Sequence, residues 1–154
     1  MRWEQGRAVI ERMLADGELQ QIPASRNQAD RLLAQARVHV ASALQVCAAD
    51  PPGGYALAYD AARKALTAIL ENEGLRPTTR GGHLAVVEAM RAQLDPPMGR
   101  MIRQFNRMRI RRHDAEYPPT DSPEITSADV REDQATAESL IEIAARLLDE
   151  MSPF

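Results

Sequence analysis

The residues best suited to chemistry lie in a short basic segment, residues 100–113. This segment contains six arginines and one histidine, and it has no aspartate or glutamate. Guanidinium groups bind phosphate through paired hydrogen bonds, and histidine is the common proton acceptor of active sites. The segment therefore indicates phosphate binding, acid–base chemistry or both.

On an α-helix, at about 100° per residue, the segment divides into two faces. One face is a row of arginines that either stay solvated or hold phosphates: Arg100, Arg103, Arg107 and Arg111. The other face begins as an apolar stripe, with Met108 at its edge, and then becomes ionisable: Met98, Met101, Ile102 and Phe105, followed by Arg109, Arg112, His113 and Glu116. Charges on a core-facing stripe are costly to bury alone, so we expect them to be paired, or to line a cleft or a subunit interface.

The second face suggests a specific reaction. Arg109 lies four residues before His113, and a neighbouring positive charge favours the neutral imidazole. A neutral His113 acts as a general base on a 2′-hydroxyl, while Arg107 or Arg109 stabilises the charge that develops on the phosphate. This is the chemistry of a metal-independent ribonuclease acting on RNA.

Two other interpretations fit the same residues. Arg109, Arg112 and Glu116 form a structural ion network in a non-catalytic interaction domain, since ion-pair networks also produce charged clusters. Alternatively, Tyr59, His83 and Arg112 line a small-molecule or nucleotide pocket between helices.

The loop Arg80-Gly81-Gly82-His83 precedes a predicted helix. Backbone N–H groups at such a position can hold an anion, but two adjacent glycines favour a plain turn with a histidine at the start of the helix. The three histidines and the one cysteine show no metal-ligand spacing. We therefore predict no metal site and no cofactor.

Composition and charge describe an ordinary globular chain. Its 154 residues fit one domain. The net charge of −3 conceals an asymmetry: residues 1–113 hold 17 basic and 11 acidic residues, whereas residues 114–154 hold 2 and 11. This segregation suggests either two oppositely charged faces or a basic site partly covered by an acidic arm. No apolar run is long enough to span a bilayer and no signal peptide is evident, so we expect a cytoplasmic protein without membrane contact.

Hydrophobic residues recur with helical periodicity throughout the chain, and no segment alternates like a strand. We predict six helices, at about residues 3–15, 26–49, 56–73, 84–94, 98–117 and 128–151. Pro51-Pro52-Gly53-Gly54 is expected to break the chain before the third helix. The predicted organisation is one domain, residues 1–154, with an N-terminal helix and linker (1–24), core helices (25–117), a proline-rich linker (118–127) and a C-terminal helix (128–151).

Three segments in this order resemble one family. Residues 55–74, YALAYDAARKALTAILENEG, are similar to the alanine- and aromatic-rich central helix of HEPN domains. The loop with His83 resembles the histidine-bearing entry to their next helix. Residues 112–117, RHDAEY, resemble the Arg-x-x-Ala-Asp-Tyr signature near the end of a long helix. The resemblance covers about residues 27–150.

The resemblance implies an all-α, up-and-down bundle of five to six helices that forms a homodimer. Many HEPN proteins are metal-independent endoribonucleases, acting as toxins or defence components, and others bind nucleotides, RNA or a nucleotidyltransferase-like antitoxin partner. Catalytic members carry Arg-x(4–6)-His; Arg107 and His113 have this spacing, although Met108 stands where the family usually has a polar residue. The resulting predicted sites are catalytic Arg107, Arg109 and His113, and binding residues Arg112, Glu116, Tyr117, Arg103, Arg80 and His83.

Overall fold

The computed structural model describes residues 4–154, and this part of the chain folds into six helices. Their bounds are α1 (Arg7–Ala15), α2 (Arg26–Val46), α3 (Pro51–Glu73), α4 (Gly82–Leu94), α5 (Gly99–Glu116) and α6 (Ser127–Glu150). The predicted all-α class and helix number are confirmed. Trp3, where the first helix was expected to begin, lies outside the described residues. None of the described helices is long and apolar enough to cross a membrane.

Helix α3 begins five residues earlier than predicted. Asp50 caps it by accepting a hydrogen bond from the Gly53 N–H, at 3.0 Å, and Pro51 occupies the first helical position. Proline is well suited to this position because its fixed φ matches a helix and no N–H is needed there. The prediction that Pro51-Pro52-Gly53-Gly54 interrupts the chain is therefore wrong. These residues form the first turn of α3, and the break lies between Val46 and Pro51.

The prediction of no strand is also wrong, because a small antiparallel ribbon joins two loops. Strand β1 (Leu19–Gln21) pairs with β2 (Leu75–Pro77), with Gln20 opposite Arg76. Each strand has three residues, which is too short to display an alternating pattern. Gly74 ends α3 with φ of 88° and leads directly into β2.

Helix α3 is the centre of the bundle, packing against α2, α4, α5 and α6. One hydrophobic cluster contains buried residues from all six helices. On α5 the buried positions are Ile102, Phe105 and Met108, so the predicted apolar stripe faces the core and Met108 belongs to its interior. The ring of Phe105 stacks on that of Tyr59 from α3, with centroids 5.6 Å apart. This contact sets how α5 lies against α3, and therefore where the arginines of α5 can reach.

Candidate functional site

A buried tyrosine and an accessible histidine form the centre of the site. Tyr59 is 1% exposed, and its hydroxyl lies 2.8 Å from His83 Nδ1 at the start of α4. Burial raises the pKa of Tyr59 to about 12. Burial also lowers the pKa of His83, and the nearby cations Arg63 and Arg112 lower it further. At neutral pH the pair is therefore a phenol and a neutral imidazole.

These protonation states determine the direction of the hydrogen bond. His83 Nδ1 is the one hydrogen-bond partner of the Tyr59 hydroxyl among residues 4–154. A buried phenol must donate its proton, so Tyr59 O–H donates to Nδ1 and the remaining proton sits on Nε2. His83 is an exposed residue, and among residues 4–154 its Nε2 makes no hydrogen bond. The Nε2–H is therefore a donor available to a ligand.

Three guanidinium groups lie close enough to this pair to shift the pKa values of both its members. Arg63 comes from α3, and Arg109 and Arg112 come from α5. The Arg112 guanidinium lies over the Tyr59 ring, 5.9 Å from its centroid. All three cations oppose the effect of burial on the pKa of Tyr59, as expected for positive charges close to its hydroxyl. We call these five residues the Tyr59–His83 cluster.

The cluster has more cations than local carboxylates can neutralise. Arg112 pairs with Glu116, at 2.8 Å, and Arg63 Nε donates to Asp60, at 3.1 Å. Arg109 Nε donates to the Asn106 side-chain oxygen, at 3.0 Å. Across residues 4–154, no carboxylate oxygen lies within 4 Å of the Arg109 guanidinium. An anion is therefore attracted to this end of α5.

Asp60 links the cluster to two further side chains. Its carboxylate also lies 3.1 Å from Lys64 Nζ and 3.4 Å from His39 Nε2. Burial alone would raise the pKa of Asp60, but the hydrogen bonds from Arg63 and Lys64 lower it. Asp60 therefore stays ionised and holds the Arg63 guanidinium in place. No three His, Cys, Asp or Glu side chains of the described residues lie close enough together to hold a metal ion.

Two of the four arginines in the predicted row on α5 contact carboxylates of α6. Arg107 lies 3.0 Å from Asp133 of α6, and Arg111 lies 2.9 Å from Asp129 and 3.4 Å from Asp133. Arg103 is 3.9 Å from Asp95 and 67% exposed. The acidic C-terminal helix thus neutralises much of this row, in the way the charge asymmetry suggested.

The remaining predicted residues lie at the surface. His113, Glu116 and Tyr117 are exposed, although helical periodicity placed the first two on the core-facing stripe. The rings of His113 and Tyr117 are in contact, with centroids 5.2 Å apart. Arg80 is exposed in the loop before α4.

The structure therefore brings together only part of the predicted set. His83, Arg109 and Arg112 converge at Tyr59, whereas the Arg107 guanidinium points to α6, away from the exposed His113. Sequence reasoning missed Arg63 and Asp60. The available signal was that Arg63 lies four residues after Tyr59, and so shares its face of α3.

Comparison with known proteins supports one family. No curated protein and no solved structure gives a significant match to the chain. The family model described as the HEPN domain matches residues 24–152, which include α2 to α6, the Tyr59–His83 cluster and the α5 arginines. The chain belongs to the HEPN domain family.

Proposed function

We propose that this HEPN domain binds RNA, and that the Tyr59–His83 cluster holds a backbone phosphate. The observation that carries the proposal is the convergence of Arg63, Arg109 and Arg112 on one accessible imidazole. Guanidinium groups bind phosphate oxygens in a paired, planar geometry. The Nε2–H of His83, an exposed residue, adds a further donor.

The same helix supplies a contrast that favours phosphate binding over a purely structural ion network. Arg107 and Arg111 are neutralised by carboxylates of α6, as structural arginines should be. Arg109 instead contacts a neutral amide. In the free protein, the neighbouring arginines repel Arg109, because no carboxylate neutralises its charge. Bound phosphate relieves this repulsion.

The test is a salt titration of RNA binding. Fluorescence anisotropy with a labelled single-stranded RNA, from 50 to 300 mM salt, gives the slope of log affinity against log salt. Arg109→Ala should weaken binding and make the slope less steep by about 0.7, the value for one phosphate contact on a single strand. Arg103→Ala is the matched control, since Arg103 lies on the same helix and is more exposed. It should leave the slope nearly unchanged.

Two results would contradict RNA binding by the cluster. One is an equal loss of RNA affinity in Arg109→Ala and Arg103→Ala, which would mean that RNA responds only to the overall positive charge of α5. The other is that Arg112→Ala lowers the melting temperature while RNA affinity stays the same. The second result would favour the non-catalytic interaction domain, in which Arg112 and Glu116 are structural.

We further propose that the bound RNA is cleaved by a homodimer, with His113 as general base. His83 is already committed as an N–H donor through Tyr59, whereas His113 is the histidine carried by α5, directly after Arg112 in the chain. It is exposed on α5 and accessible to a second copy of the chain. In the presence of EDTA, His113→Ala should abolish cleavage, whereas Arg103→Ala should not. Equal cleavage by wild type and His113→Ala would remove His113 from the mechanism.

A further inference from the structure

An exposed aromatic side chain caps the C-terminal end of α5, the helix that carries Arg109 and Arg112. Tyr117 is 69% exposed, the largest value among the exposed large hydrophobic side chains of the described residues. Its backbone is fixed, because its N–H donates to the His113 carbonyl at 2.9 Å. Its ring rests against the His113 ring at an angle of 43°. Tyr117 therefore presents a supported ring with an open surface.

Tyr117 continues a row that begins at the phosphate-binding arginines. Arg109, His113 and Tyr117 are spaced four residues apart, so they lie along one side of α5 at intervals of about 6 Å. Arg112 immediately precedes His113 and is tied to Glu116, the residue before Tyr117. A nucleotide whose phosphate contacts Arg109 or Arg112 thus has an aromatic surface within reach of its base.

We propose that the Tyr117 ring, supported by His113, stacks on an unpaired base, so that the ligand of this site is single-stranded RNA. The proposal rests on the proposed RNA binding and specifies its substrate class. In a duplex each base face is covered by its neighbours, whereas bases in single strands and loops can stack on aromatic side chains. Duplex RNA offers phosphates to the arginines but no free base face to Tyr117.

The experiment compares three ligands of equal length: a single-stranded RNA, the same strand with abasic sites, and the duplex. Tyr117→Ala should weaken binding of the single strand by about 5- to 150-fold, the range for loss of one stacked base. Its salt slope should remain that of the wild type, since no phosphate contact is removed. Binding of the abasic strand and of the duplex should not change. Tyr117→Phe keeps the ring and should bind like the wild type.

The outcomes separate this inference from the proposed function. Stacking is refuted if Tyr117→Ala binds the single strand normally, or weakens the abasic strand equally. It is also refuted if the variant changes only the oligomeric state, which would assign the ring to a protein interface. Arg109→Ala tests the phosphate contact independently, through the salt slope with all three ligands. Because Tyr117 lies at the surface, circular dichroism of Tyr117→Ala should match that of the wild type.

Discussion

Replacing Asp133 by alanine should destabilise the bundle strongly, because this carboxylate joins three helices. Its side chain is fully buried. It accepts a hydrogen bond from the Tyr55 hydroxyl of α3 at 2.6 Å, and contacts Arg107 and Arg111 of α5 at 3.0 and 3.4 Å. The Asp133 side chain therefore connects α6 to both α3 and α5.

The size of the effect follows from what each partner loses. The proton of the Tyr55 hydroxyl would be left buried without an acceptor, which costs about 1–3 kcal/mol. The arginines are 54% and 37% exposed and can return to water, so each loss is worth only about 0.5–1 kcal/mol. Asp133→Ala should therefore lower the free energy of unfolding by about 2–5 kcal/mol. For a chain of this length, the melting temperature should fall by about 4–20 °C.

Urea and thermal unfolding, followed by circular dichroism, measure this change. Tyr55→Phe removes only the hydroxyl and should cost less than Asp133→Ala. The double variant should cost less than the sum of the two single variants, because both remove the same hydrogen bond. A loss below about 1 kcal/mol in Asp133→Ala, or strict additivity, would refute the view that α6 is held through this buried carboxylate.

Two further predictions concern pH. Burial raises the pKa of Glu73 to about 9, above its ordinary value of 4.5, so the contribution of Glu73 to stability should be complete below pH 4.5. It should decrease as the pH rises toward 9, by up to about 1.4 kcal/mol per pH unit. Glu73→Gln should remove this pH dependence, because the glutamine amide can both donate to and accept from the Gln93 side chain without titrating. Urea unfolding at pH 6 to 9 measures the effect. If the stability of the variant falls with pH as steeply as that of the wild type, Glu73 is not the titrating group. For His83 the folded-state pKa lies below 6.5. The contribution of the neutral His83 side chain to stability should therefore be complete above about pH 7 and be lost as the pH falls through the folded-state pKa. His83→Gln should not lose this stability between pH 7 and pH 5. Equal losses of stability in the variant and the wild type would contradict the role of His83.

Much of the architecture is readable from the sequence because local rules agree with the fold. The period of α5 identifies Ile102 and Phe105 as core residues, and Ser25 is recognisable as the cap of α2, where its side chain accepts from the Gln28 N–H. The start of α3 was misplaced because Pro-Pro-Gly-Gly is a breaker in most contexts. Only the capping contact of Asp50 shows that it begins a helix.

The site is less readable because its geometry depends on side chains from separate helices. Periodicity alone placed Arg109 and His113 on one stripe. Whether a charged side chain is neutralised depends on α6, whose Asp133 lies 26 residues after Arg107. In the sequence, Asp60 and Arg63 are two ordinary charged residues of a helix. Their role follows only from the packing that sets them beside Tyr59 and His83.

The most direct test is to locate RNA binding on the molecule by NMR. Protein labelled with ¹⁵N is titrated with a short single-stranded RNA, and the arginine Nε–H and histidine ring signals are followed. The account predicts that the largest shifts occur at Arg63, Arg109 and His83, with little change at Arg100 in the groove between α5 and α6. Shifts confined to that groove, or an RNA-saturated protein with an unaltered His83 signal, would contradict phosphate binding by the Tyr59–His83 cluster.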